Sequence, residues 1–299
     1  MSTIDVSVVL PVYNEADHLE EEVTRIRKSL EASELTFEII IVDDGSTDGS
    51  GQLAKSLEGV HVTRFASNRG AGSARKYGTM SARGDVVVWT DVDMTYPNDR
   101  IPDLVSELDG YDQVVGARKT EMGTVRYLRT PAKWLIRKLA SYLARHEIPD
   151  LNSGFRAFRR DVADQFLYLL PRGFSCVTTI TMAFLSNGYS VHYVPIEYSE
   201  RSGNSKFHWW TDTQRYMLQV IRMVLMHEPI RFFGPLAGVL TTVGLGKLLY
   251  DIIRYDFRVT TNTLVVLGVA FALAGVGLIA DLMVQLNKRK HDVMPAHLD

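Results

Sequence analysis

The sequence predicts an α/β protein, a mostly parallel sheet covered by helices, followed by a C-terminal apolar hairpin. Three observations lead there. β-branched runs alternate with amphipathic stretches through the first two-thirds of the 299 residues, paired aspartates end two of those runs, and the last third holds two long apolar segments.

The runs VSVVLPV, FEIIIVD, HVTRF, DVVVWTD and DQVVGA read as strands. Single helices between them demand crossover connections, which favours parallel pairing and a sheet buried on both faces. Ligands of such sheets bind at the carboxyl ends of the strands. Asp43 and Asp44 end the second run, and Asp91 and Asp93 the fourth.

Residues 232–253 and 262–286 are apolar apart from Lys247, Asp251 and Asp281. Each is long enough to cross a bilayer, which takes about 20 residues. A pair of buried core helices is the plainer reading. It ranks behind, because 263–280 is uncharged with no amphipathic face, and the three charges sit near segment ends where they snorkel or pair. The linker 254–261 then makes a hairpin. Arg222 and Arg231 before it and Lys288, Arg289 and Lys290 after it place both ends in the cytosol. Residues 128–146 and 207–227 mix Trp, Leu and Tyr with Lys and Arg, the pattern of amphipathic helices lying on anionic lipid; a surface helix packed on the sheet suits either one alone equally well, and the hairpin on the same chain tips the balance. The expected division is a cytosolic α/β domain over 1–206, an interfacial helix and connector over 207–231, two transmembrane helices over 232–286 and a cytosolic tail over 287–299.

A net charge of -2 and a pI near 6.5 argue against a nucleic-acid binder. The even sum hides an asymmetry: residues 1–58 carry 13 acids against 4 bases, and residues 118–160 carry 11 bases against 3 acids. The basic stretch calls for an anionic partner. The single cysteine, Cys176, excludes an internal disulfide and a Cys-rich zinc site. The start has no basic region leading into an apolar one, so no secretory signal is expected.

Asp91-Val92-Asp93 extends a strand, and alternation points residues i and i+2 the same way, delivering two carboxylates to a solvent-facing sheet edge. Paired carboxylates suit a hard cation bridging a diphosphate. In Val42-Asp43-Asp44-Gly45-Ser46-Thr47-Asp48-Gly49, a glycine turn and capping side chains account for everything after Asp44. Adjacent acids repel unless donors are supplied, and a nucleoside's imide N–H and ribose hydroxyls would supply them. Gly70-Ala71-Gly72 is not a dinucleotide fingerprint: it follows the third strand and completes no G-x-G-x-x-G, so close packing at a helix start is its expected role.

Pro11-Val12-Tyr13-Asn14-Glu15, the Asp43-Asp44 segment, Asn68-Arg69-Gly70, Asp91-Val92-Asp93 and Asn152-Ser153-Gly154-Phe155-Arg156 occur in the order and spacing of family-2 glycosyltransferases. Over residues 5–227 the chain resembles the dolichyl- or polyprenyl-phosphate hexose synthases of that family, some of which also carry a C-terminal two-helix anchor. The resemblance implies a GT-A-like, Rossmann-like catalytic domain. It implies that Pro11, Tyr13, Glu15, Asp43 and Asp44 hold the nucleoside, and that Asp91 and Asp93 hold a divalent cation, Mg2+ or Mn2+, and the diphosphate. Arg201 and Lys206 fall in a segment similar to the family's loop over the donor diphosphate. Arg126, Arg137 and Ser153 are the expected set for the acceptor phosphate, chosen over Arg118 and Arg129. Thr95 stands where the dolichol-phosphate members have a glutamine near the metal.

The implied reaction is inverting transfer of a hexose from a UDP- or GDP-sugar to polyprenyl phosphate. The expected partners are the donor, the lipid phosphate and membrane lipid, with no nucleic acid, and a homo-oligomer is compatible. The expected location is the cytosolic face of the plasma membrane in a prokaryote or of the endoplasmic reticulum in a eukaryote. The rivals are a family-2 transferase acting on polysaccharide or protein hydroxyls, for which the Q-x-x-R-W signature of processive synthases is missing, and a non-catalytic membrane scaffold, against which the acidic triplet stands intact.

Overall fold

The structure is a computed structural model, and it describes residues 4–118, 146–173, 175–199 and 228–292, with 141, 142, 218, 221, 222 and 225 between them, the last six of 228–292 as backbone only. The chain forms two compact units, Met1–Gln219 and Val220–Asp299.

In the first unit, β1 (Val6–Val12), β2 (Phe37–Asp43), β3 (Val60–Arg64), β4 (Val86–Trp89), β5 (Gln113–Arg118), β6 (Arg156–Arg159) and β7 (Val191–Ile196) make one sheet in the order β3-β2-β1-β4-β6-β5-β7. β6 alone runs antiparallel to its neighbours β4 and β5. The first three strands spread outward from β1, and β4 then pairs on the other side of β1. This reversal opens a crevice at the carboxyl ends of β1 and β4, the place where such sheets take ligands. β1, β2 and β4 are almost wholly buried, so they read as continuous β-branched runs rather than as alternation.

β6 and β7 escape a periodicity reading. β6 is four residues long, and β7 is an edge strand with four only partly covered or exposed positions and a proline. Pro195 costs little there, because an edge strand leaves one side of its ladder unpaired. The fourth strand is also shorter than its apolar run suggests: β4 ends at Trp89, and Asp91 to Asp93 lie in a bend that closes at Met94, φ +61°.

Helices α1 (Ala16–Glu31), α2 (Ser50–Ser56), α3 (Ala71–Ser81), α4 (Ile101–Ser106), α5 (Arg160–Asp164) and α6 (Cys176–Ser186) connect or cover the strands. α1 buries Leu19, Val23, Ile26 and Leu30 at helical spacing, and Glu22 falls on the same face. α6 is buried from Cys176 through Phe184.

At the amino ends of the strands, away from the crevice, Glu38 accepts the Ser7 hydroxyl at 2.6 Å, the Arg83 N–H at 2.7 Å and both Arg83 Nε and Nη2. Burial alone would raise the Glu38 pKa, but these hydrogen bonds and the Arg83 charge hold it below the usual glutamate value. A depressed folded pKa gives stability that is present above the unfolded value and is lost as pH falls through the folded one. Glu38→Ala is expected to cost about 2 kcal/mol at neutral pH, as removal of a buried, multiply bonded acceptor does. The difference from wild type should shrink in acid melts below about pH 4. A melting point unchanged at pH 7 would count against this account.

The second unit is an antiparallel hairpin of α7 (Ile230–Arg254) and α8 (Thr261–Asp292), two helices long and apolar enough to cross a membrane. They approach through glycines: a Cβ on Gly244 would stand 2.5 Å from Leu267 Cδ2, and one on Gly277 2.8 Å from Phe233 Cβ. Small residues let apolar helices pack closely without help from water. Val239, Leu249, Leu264, Phe271 and Leu278 point outward. Asp251, an acid in an apolar helix, is itself buried, and its Oδ2 accepts the Thr260 N–H and the hydroxyls of Thr260 and Thr263 at 2.6–2.9 Å. It therefore pairs inside the hairpin, at the start of α8, rather than snorkelling.

Candidate active site

Three neighbouring strands, β2, β1 and β4, bring their carboxyl ends together, and with them Tyr13, Glu15, Asp43, Asp44, Asp91 and Asp93. Pro11 is in the last turn of β1's ladder, paired with Val42. The loops after β1 and β2 are laced to each other. Asn14 and Glu15 donate their N–H groups to Ser46 Oγ and Ser50 Oγ, Asn14 Oδ1 accepts the Thr47 N–H at 2.8 Å, and the Ala16 N–H reaches Asp48 Oδ2. Ser46, Ser50 and Asp48 thus fix Tyr13 and Glu15 relative to Asp43.

The donors that the adjacent acids need come from the chain itself. Asp43 Oδ1 accepts the Ser46 N–H at 2.9 Å, while its Oδ2 lies 3.1 Å from Arg64 Nε without an aligned hydrogen bond. Asp44 accepts the N–H groups of Arg69 at 2.6 Å and Gly70 at 2.8 Å, one on each oxygen. Burial still raises the Asp44 pKa, outweighing those amides. The two amides supply Asp44 with one donor on each oxygen.

Gly70 and Gly72 serve close packing, as expected. A Cβ on either would stand 2.3 Å and 2.0 Å from the carbonyl oxygens of Arg172 and Pro171, and Gly70 has φ +93°. The Arg172 carbonyl accepts the N–H groups of Gly72 and Ser73 at the start of α3.

The aspartate triplet is held from several sides. Asp91 Oδ1 pairs with Arg75 Nη2 at 2.6 Å, and Arg75 is buried in α3, its charge favoured by Asp91 although burial opposes it. Asp93 is buried rather than solvent-facing: its Oδ1 accepts the Thr95 hydroxyl at 2.5 Å and the Thr95 N–H at 3.3 Å. Thr95 therefore braces a carboxylate in the place where the resembling enzymes carry a glutamine. Asn98 and Glu22, neither of them among the expected site residues, are fully buried behind the triplet.

The S-G-F loop meets this cluster. A Cβ on Gly154 would lie 2.9 Å from both Arg75 Nη2 and Asp91 Oδ2, so a side chain there would displace the ends of that pair. The Gly154 N–H donates to the Tyr96 hydroxyl at 2.7 Å, and the Tyr96 ring stacks on Phe155. The Ser153 side chain, expected at the acceptor phosphate, is fully buried and its Oγ accepts the Phe155 N–H at 3.3 Å, so it shapes the loop. Arg156 is buried on neutral acceptors, the carbonyls of Ser153 and Val177 and the Thr181 hydroxyl, and burial with the nearby Arg75 charge lowers its pKa to about 10. Arg118 is committed to a bidentate pair with Asp150 at 2.6 and 2.9 Å. Arg126, Arg129, Arg137, Arg201 and Lys206 lie outside the described residues.

Among the described residues no three His, Cys, Asp or Glu side chains gather into a cation site. Two carboxylates, with substrate phosphates completing the shell, are the usual protein share for Mg2+, so Asp91 and Asp93 fit such an ion.

The fold is that of GT-A glycosyltransferases. Glucosyl-3-phosphoglycerate synthase from Mycobacterium tuberculosis, solved with Mn2+, UDP-glucose and phosphoglyceric acid, superposes with a TM-score of 0.59 at 19% identity over 74% of this chain and 80% of that one. Mannosyl-3-phosphoglycerate synthase from Rubrobacter xylanophilus gives 0.56 at 24% identity, over 78% and 75%. The chain belongs to glycosyl transferase family 2, whose sequence pattern matches residues 7–167. It is 31% identical over 277 residues to undecaprenyl-phosphate 4-deoxy-4-formamido-L-arabinose transferase of Proteus mirabilis (strain HI4320), covering 86% of this chain and 80% of the relative. With two helices able to span a bilayer, the similarity to an enzyme named for a lipid-linked phosphate points to a membrane protein.

Proposed function

We propose that this enzyme transfers a sugar from a nucleoside diphosphate sugar to a polyprenyl phosphate, with inversion, giving a lipid-linked phosphosugar. The observation that carries the reading is the pair Asp91 and Asp93 at the sheet's reversal point, braced by Arg75 and Thr95. The relative named for undecaprenyl phosphate supports the choice of acceptor.

Asp91 and Asp93 would hold a divalent cation, Mg2+ or Mn2+, which when bound neutralises charge on the departing nucleoside diphosphate. Tyr13, Glu15 and Asp43 line the nucleoside end, with Pro11 and Asp44 behind them. Asp43 Oδ2 is buried 3.1 Å from Arg64 Nε, so Asp43 acts on the nucleoside end by holding the Ser46 turn through Oδ1. Arg201 and Lys206 supply cations to the diphosphate, and Arg126 and Arg137 take the acceptor phosphate. Arginine suits the last task because its fork meets phosphate bidentately. An acceptor phosphate oxygen attacks the anomeric carbon in line, so no protein nucleophile is used. The test is transfer from UDP- and GDP-hexoses to polyprenyl phosphate in Mn2+ and in chelator; absence of any lipid-linked product with every donor would defeat the proposal.

In this proposal both ends of the chain and the α/β unit lie in the cytosol, with the linker 254–261 across the membrane. Cysteines introduced in that linker should be labelled by an impermeant reagent only from outside sealed, right-side-out vesicles. Labelling from the cytosolic side would remove the hairpin topology.

A further inference from the structure

The buried face of α1 carries one residue that packing does not call for. Leu19, Val23, Ile26 and Leu30 fill the stripe, and Glu22 sits among them with no exposed surface. Burying a carboxylate is costly unless it is fully engaged. Its engagements all lead to the loop after β4. Glu22 Oε2 accepts Asn98 Nδ2 at 2.6 Å, and Oε1 lies 3.3 Å from Arg25 Nη1, which also donates to the Tyr96 carbonyl.

Asn98 is equally buried, and each end of its amide has a task. Its Nδ2 donates to the backbone carbonyl of Asp91 at 3.0 Å as well as to Glu22, and its Oδ1 accepts the Thr90 hydroxyl. One side chain therefore grips the residue before the triplet and the triplet's first peptide, and a buried charge orients that side chain. Arg75 holds the Asp91 carboxylate from the opposite side.

We infer that Asn98, oriented by Glu22, is a positioning residue for the divalent cation: it fixes the backbone at Asp91 so that the two aspartates present a ready-made ligand pair. This rests on the proposed metal role of Asp91 and Asp93. Partners behind metal ligands are worth roughly 10–100-fold in affinity.

The test is Mn2+ titration of the purified full-length protein, following free Mn2+ by electron paramagnetic resonance, with thermal unfolding measured on each variant. Asn98→Ala should bind Mn2+ about tenfold or more weakly while remaining folded. Asn98→Asp sets a second carboxylate against Glu22 and should lower the melting point. Adding Glu22→Gln to it lets the new amide donate to the new carboxylate, so the melting point should recover. The double variant still has no donor for the Asp91 carbonyl, so its Mn2+ affinity should stay low. Recovery of affinity together with stability would show that the pair only supports the fold, and would overturn the inference. So would wild-type Mn2+ affinity in Asn98→Ala while Asp93→Asn is impaired. If Asp93→Asn itself binds Mn2+ like the wild type, the metal role falls and the inference falls with it.

Discussion

Replacing Asp93 with asparagine should lower turnover by roughly a thousandfold or more, about 4 kcal/mol of transition-state stabilisation, because a charged ligand to the leaving group's counter-ion is lost. The fold should survive. Asparagine has the same shape, and its Oδ1 can still accept the Thr95 hydroxyl and N–H that brace the aspartate. Burial makes the result more telling than at an exposed strand end: Asp93 is 7% exposed, so a charge there is not idle solvated surface. Turnover would be followed as lipid-linked sugar formed at saturating Mn2+, with circular dichroism as the check on folding. Transfer that continues undiminished in chelator would end the metal role.

The second large effect concerns the acceptor. A phosphate monoester loses its second proton near pH 6, so at neutral pH it already offers an ionised oxygen and needs only orientation. A free alcohol needs a general base, a contribution of roughly 10²–10⁴ in rate. Polyprenyl phosphate should therefore be glycosylated, while the corresponding polyprenol reacts at least about a hundredfold more slowly. Arg126→Ala and Arg137→Ala should weaken acceptor use without loss of nucleotide binding, and lysine at either place should restore activity only in part. Faster transfer to polyprenol or to a soluble sugar would overturn the lipid-phosphate assignment. Full activity in both alanine variants would overturn its proposed site.

The sheet was legible wherever burial on both faces wrote an unbroken β-branched run, as in β1, β2 and β5. Short β6 and edge strand β7 left no such run. The acids at the crevice were legible from their position after strands, but their environment was not. Sequence spacing could not show that Asp44 is answered by amides of Arg69 and Gly70, that Asp93 turns inward, or that Ser153 folds under its own loop. These outcomes depend on loops that meet only in three dimensions. Gly154 is similar: its role is the space it leaves between Arg75 and Asp91, which come from distant parts of the chain. A signal for Glu22 did exist, an acid on the apolar stripe of α1, and it carries meaning only once its partner Asn98 is known.

Many nucleotide-binding sheets greet a phosphate with the bare amides of a helix start. Here those amides are spoken for: the Asp44 carboxylate occupies those of Arg69 and Gly70, and the Arg172 carbonyl those of Gly72 and Ser73. The protein has in effect plugged its own anion hole, with an acid as part of the plug. A diphosphate arriving at this crevice would meet a start of α3 at which the Arg69, Gly70, Gly72 and Ser73 amides are already bonded. On the proposed reading its negative charge would fall largely to the cation and to basic side chains, so donor affinity should weaken as salt rises.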